Sequence, residues 1–83
     1  MIPKNIEMDH ILRALKHIDK YDVPKKRQSR DYFLVFNNKL YPHKYVISMA
    51  NKFANGVELD PIEFISIESR TFLKKLGFTV VRT

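Results

Sequence analysis

Eighty-three residues with four Tyr, six Phe, two Gly and no Cys describe one small folded domain, because a chain of this length has surface for a single core. Without cysteine, a disulfide framework, a thiolate zinc site and a cysteine nucleophile are excluded together. Fifteen Lys and Arg against nine Asp and Glu leave a net charge of +6; no apolar run reaches signal-peptide or membrane-spanning length, so the expectation is a cytoplasmic single domain, residues 1–83, with an anionic partner and no membrane.

Met8, Ile11, Leu12, Leu15 and Ile18 recur at helical spacing and predict a first helix over residues 6–20, with Asn5 as its N-cap and Glu7 and Asp9 in the first turn. Its other side, His10, Arg13, Lys16 and His17, reads as a solvated face. Pro24 stops any helix, and Lys25-Lys26-Arg27-Gln28-Ser29-Arg30 reads as a basic loop. Residues 31–36 are rich in β-formers, Asn37-Asn38 suits a two-residue turn, and residues 39–41 return as a second strand.

Pro42 fits the start of a helix whose apolar side is Val46, Ile47, Met49, Ala50, Phe53 and Ala54, stopped at Asn55-Gly56. Asp60-Pro61-Ile62-Glu63 predicts a short capped turn, Ser66 caps a further helix with Phe72, Leu73 and Leu76 inward, and Gly77-Phe78 closes it. Residues 78–81 alternate as a last strand, paired with the hairpin because two strands alone are marginal in water. The expected fold is α+β, in the order α-β-β-α-α-β: a small three-stranded antiparallel sheet packed on one side by three to four helices.

Residues 23–52 hold seven basic side chains and one acid, whereas the remainder holds eight of each sign. All the excess charge therefore sits on the basic loop, the hairpin and the helix after it. Catalytic patterns are lacking. His10 and His17 stand two helical turns apart, about 10 Å of rise, too far to share a metal. His43 has no ligand pattern around it, Gly56 and Gly77 build no phosphate loop, and Asp60, Glu63 and Glu68 read as capping and surface acids. The expectation is a protein that is not an enzyme and that carries no metal and no cofactor.

What remains is cations interleaved with hydroxyls and amides. Lys25, Lys26, Arg27, Arg30, Lys39 and Lys44 would neutralise phosphates, with Ser29 and His43 beside them. Lys44, Ser48, Asn51 and Asn55 fall on one helical line, and Lys52 flanks it. Hydroxyl and amide groups between lysines are the types that read base edges, so this side is either a groove reader or an ordinary exposed helix face. Tyr41 and Tyr45 are either buried core or, with Tyr32, platforms for unpaired bases.

The stretches from Arg27 to Asn37, Tyr41-Pro42-His43-Lys44-Tyr45-Val46-Ile47-Ser48-Met49-Ala50-Asn51-Lys52, Asn55 to Pro61 and Leu76-Gly77-Phe78 resemble the N-terminal head domain of McrA-like (ScoMcrA-type) HNH modification-dependent restriction endonucleases. Ile65-Ser66-Ile67 departs from that pattern, where a Gly-Gly-type turn is expected. The resemblance implies a non-catalytic DNA-recognition module of a prokaryotic restriction system, either a whole protein or the N-terminal module of a longer one. Its partners would be duplex DNA, plain or modified, and nuclease and modified-base-sensing modules in cis or trans. The alternative is a protein-interaction or homodimerisation head that makes no contact with nucleic acid.

Overall fold

A computed structural model describes all 83 residues. The first helix, α1 (Met8–Tyr21), starts two residues later than its spacing predicts, and Asn5 is not its cap. Glu7 takes that place, and its backbone N–H donates to His10 Nδ1 at 2.9 Å, so a ring nitrogen stands where a capping-box Glu or Gln usually does. Asn5 instead exchanges amide hydrogen bonds with Asn55 at 2.7 and 3.0 Å, tying the N-terminal segment to a later helix. Ile11, Ala14, Leu15 and Ile18 are buried, whereas Met8, expected inward, stays largely exposed.

The basic loop contains one 3-10 turn, Lys25–Arg27, started by Pro24. Strands β1 (Tyr32–Phe36) and β2 (Lys39–Pro42) form the expected hairpin. Asn37 and Asn38 sit at φ of 50° and 62°, the left-handed pair a type I′ turn demands, and Asn tolerates it because its side chain bonds locally. Strand β3 (Thr79–Arg82) adds antiparallel to β1, giving the order β2-β1-β3 with Leu34 between Tyr41 and Val80 and Tyr32 opposite Arg82.

Strand periodicity puts Tyr32, Leu34, Phe36, Tyr41 and Val80 on one face, where Leu34 and Tyr41 are buried and Phe36 and Val80 pack on the core. Phe33, Val35, Leu40 and Val81 lie on the other face, outside that core. Helix α2 (His43–Asn55) ends at Gly56, whose φ of 89° and N–H to the Lys52 carbonyl make the expected stop.

Asp60 caps the turn Pro61–Glu63 through its side chain, which accepts from the Ile62 N–H at 3.0 Å. Helix α3 (Ser66–Lys75) takes Ile65 as N-cap in place of the expected Ser66, with the Ile65 N–H donating to Glu68. It closes with Gly77 N–H on the Lys74 carbonyl and Phe78 N–H on Leu73, the paired bonds of a Schellman motif.

The fold is therefore α+β with three helices, at the lower end of the expected number. No helix is long and apolar enough to cross a membrane. Its core joins α1, α2, the inner sheet face and α3 through Ile11, Leu34, Ile47, Met49, Phe64 and Leu73, each worth about 2 kcal/mol of burial.

Candidate nucleic-acid interface

The segment after α2 decides which side of that helix is free. Residues 57–60 fold back along it: Leu59 N–H donates to the Ser48 carbonyl at 3.1 Å, the Ser48 hydroxyl donates to the Leu59 carbonyl at 2.6 Å, and Asn51 Nδ2 donates to the Val57 carbonyl at 2.8 Å. Ser48 is 0% and Asn51 3% exposed. Asn55 is exposed, but its amide is held by Asn51 and Asn5. The expectations of a groove reader and of an ordinary exposed face are thus both corrected for Ser48 and Asn51, which satisfy the backbone of a covering strap as buried polar atoms must, while the Asn55 amide is taken up by side chains.

Arg27 is held against the same side of α2. Its guanidinium donates to the Ser48 hydroxyl at 2.8 Å, lies 4.0 Å from the Glu58 carboxylate and stacks over the Tyr45 ring at 5.0 Å. Arg27 is a tie between the basic loop and α2 more than a free cation. Lys39 sits at the hairpin tip, 3.4 Å from Asp19, which also accepts from the Tyr41 hydroxyl at 2.8 Å. Burial and then Asp19 push the Tyr41 phenol up to about 12. Tyr41 and Tyr45 are both buried and offer no stacking face. Lys52 is exposed in the last turn of α2.

What the fold does bring together is a cleft of about 350 Å³ between the basic loop, the base of the hairpin and the start of α2. Lys26, Arg27, Ser29, Arg30, His43 and Lys44, six of the expected residues, line it, and Lys25 stands on the adjoining turn. Asp31 is the only acid among the lining side chains. Lys44 donates to the Pro61 carbonyl at 2.8 Å and lies over the Phe64 ring at 4.7 Å. Burial and the neighbouring Arg27 charge lower its proton affinity, and Glu68 partly offsets them.

His43 is 4% exposed and contributes no charge at neutral pH. Burial first, then the Arg70 and Lys44 charges, pull its pKa down to about 4. Its Nδ1 lies 2.9 Å from the Ser69 hydroxyl and its Nε2 3.4 Å from that of Ser66. Ser66 Oγ also accepts from Arg70 Nε at 3.2 Å, and because a hydroxyl has one donor and two acceptor positions, both ring nitrogens are partnered in either tautomer.

Two residues outside the charge-rich segment join this neighbourhood. Arg70 stacks 3.9 Å from the Tyr32 ring centre and Arg82 lies 5.8 Å from it. Neither was read from the sequence: Arg82 is placed by the pairing of the last strand with the first, opposite Tyr32, and Arg70 by its position one turn after Ser66. No group of three or more His, Cys, Asp or Glu side chains is placed to hold a metal ion.

Residues 4–82 match the family described as ScoMcrA-like, N-terminal head domain. The chain belongs to this family. It is accordingly a head domain of the restriction-system type, distinct from the nuclease domain of such proteins. No curated protein and no solved structure matches it. In the head domain the family-like segment Tyr41 to Lys52 spans the end of β2 and most of α2, so much of what makes it recognisable is packing and strap-holding chemistry, with only His43 and Lys44 reaching the cleft.

Proposed function

We propose that the head domain is a non-catalytic DNA-recognition module that holds the backbone of duplex DNA at the cationic cleft and so orients the modified-base-sensing and nuclease modules of its restriction protein. The observation that supports this reading is the placement of Lys26, Arg30 and Lys44 in one cleft, with Lys25 on the adjoining turn and Arg70 bonded to the lining Ser66, none of them ion-paired to a carboxylate. Such cations neutralise phosphates and fix a frame without reading sequence. Burial of Ser48 and Asn51 removes the groups best suited to base edges, so affinity should be nearly indifferent to sequence.

Five neutralised phosphates give a slope of about −4.5 in log K against log salt. The test is a fluorescence-anisotropy titration of plain, methylated and phosphorothioated duplexes and of a single strand at several salt concentrations. Similar affinity for all duplexes with that slope supports the reading; absence of binding, or binding without salt dependence, contradicts it.

A second reading is favoured by one observation. The outer sheet face carries Phe33, Val35, Leu40 and Val81 with no helix over it, and Leu40 is 52% exposed. An apolar sheet face left open is a docking surface for a sister module or a second copy. Here Val35→Glu with Leu40→Glu, cross-strand partners in the hairpin, would reduce the sedimenting mass and leave DNA affinity unchanged.

A further inference from the structure

We propose that the cleft is a discrete seat for one phosphoryl oxyanion, gripped by Arg70, Lys44 and Arg30 over a neutral floor of Tyr32, His43 and Ser66. This deepens the DNA reading and rests on it for the source of the phosphate. The cleft has room for a phosphoryl group with an attached sugar, at about 350 Å³, yet only one of its eleven lining residues is hydrophobic. That lining is wrong for an extruded base, which needs apolar walls, and right for an anion.

The gripping groups are held before any ligand arrives. Arg70 stands beside the cleft and not in its lining, its guanidinium 3.9 Å from the centre of the lining Tyr32 ring and its Nε–H spent on the lining Ser66. No carboxylate pairs with its two terminal nitrogens, the planar fork that meets an oxyanion through two parallel bonds. Lys44 is fixed by the Pro61 carbonyl and the Phe64 ring, which leaves ammonium hydrogens to donate.

These cations also act on one another. His43 feels both Arg70 and Lys44, and Lys44 feels Arg27, so the groups converge on a single place. The facing acids are few: Asp31 at the rim, Glu68 near Lys44 and Glu58 on Arg27. An anion in the seat relieves this like-charge crowding, whereas Lys25 and Lys26, exposed on the neighbouring turn, would serve adjacent phosphates.

The test follows backbone amide signals of Lys44 and Ser66 by NMR while inorganic phosphate, a nucleoside monophosphate or a short duplex is added at constant ionic strength set with chloride. The expected result is saturable shifts at these amides with all three and none with chloride, weakened at least about tenfold in Arg70→Gln. Lys44→Gln repeats the test from the other wall, so loss of one variant to misfolding does not decide it.

Arg70→Lys should recover only part of the affinity, because it keeps the charge and loses the fork. Shifts that do not saturate, or affinities unchanged in both Gln variants, overturn the seat even if duplex DNA binds through Lys25 and Lys26. Saturation by phosphate with no competition from duplex keeps the seat and contradicts the DNA reading.

Discussion

The two ends of the hairpin carry cations of similar standing in the sequence and opposite standing in the structure. At the tip, Lys39 lies 3.4 Å from Asp19, and the same carboxylate accepts the Tyr41 hydroxyl. At the base, Arg30 and Lys44 line a cleft whose lining includes one acid, and Arg70 and Arg82 from α3 and β3 stand against Tyr32 in its wall. A net charge summed over a segment treats these ends alike. What separates them is whether each cation has an acid within reach, which is settled by the elements that pack alongside.

The largest effect should come from the strap beneath the cleft. Ser48→Val removes the hydroxyl that donates to Leu59 and accepts from Arg27, leaving a buried carbonyl and a guanidinium hydrogen unpaired. The expected cost is about 3 kcal/mol, read as a lower urea midpoint with unchanged slope. A loss below about 0.5 kcal/mol would show that the strap is not held by this bond.

Acid should weaken the base of the hairpin next. His43 has a folded pKa of about 4 against an ordinary 6.5, so the unfolded chain binds a proton that the folded chain refuses. The contribution is fully present above about pH 6.5 and is lost as pH falls toward 4, amounting to about 3 kcal/mol at most. His43→Asn should flatten that part of the stability profile, and an unchanged slope would contradict the assignment.

The tip should respond less, and without touching binding. Asp19→Asn removes the Lys39 pair and weakens the Tyr41 bond, at a cost of about 1 kcal/mol. It should also let the Tyr41 phenol titrate below its present value of about 12, which ultraviolet titration reads. DNA affinity should stay within twofold of the parent, about 0.4 kcal/mol. Smallest of all, Asn38→Gly relieves a residue held at φ of 62° and should raise stability by a few tenths of a kcal/mol.

Much of this frame was legible because its signals are local. Asn37-Asn38, Gly56 and Gly77 each announce a backbone conformation within a few residues, and each sits at the predicted turn or helix end. That a third strand joins the hairpin followed from the weakness of two strands alone, while its place beside β1 and not β2 was not read from the sequence.

The polar line on α2 was legible only as a line. Helical spacing places Lys44, Ser48, Asn51 and Asn55 on one side, but whether solvent or protein meets that side depends on the irregular residues 57–60, which have no period to read. Asn5 failed as a cap for a similar reason: its partner, Asn55, is fifty residues away. Arg70 and Arg82 were hidden by the arithmetic itself, since they lie in the stretch whose charges cancel in sequence but not in space.

The central claim is that unpaired cations at the cleft, and not the basic segment as a whole, hold DNA. It is tested most directly by the salt dependence of duplex affinity in three proteins: the parent, Arg30→Ala with Lys44→Gln, and Lys39→Ala. The account predicts that the slope of log K against log salt drops by about two in the cleft variant and is unchanged at the tip. Equal losses in both variants, or an unchanged slope at the cleft, would contradict it.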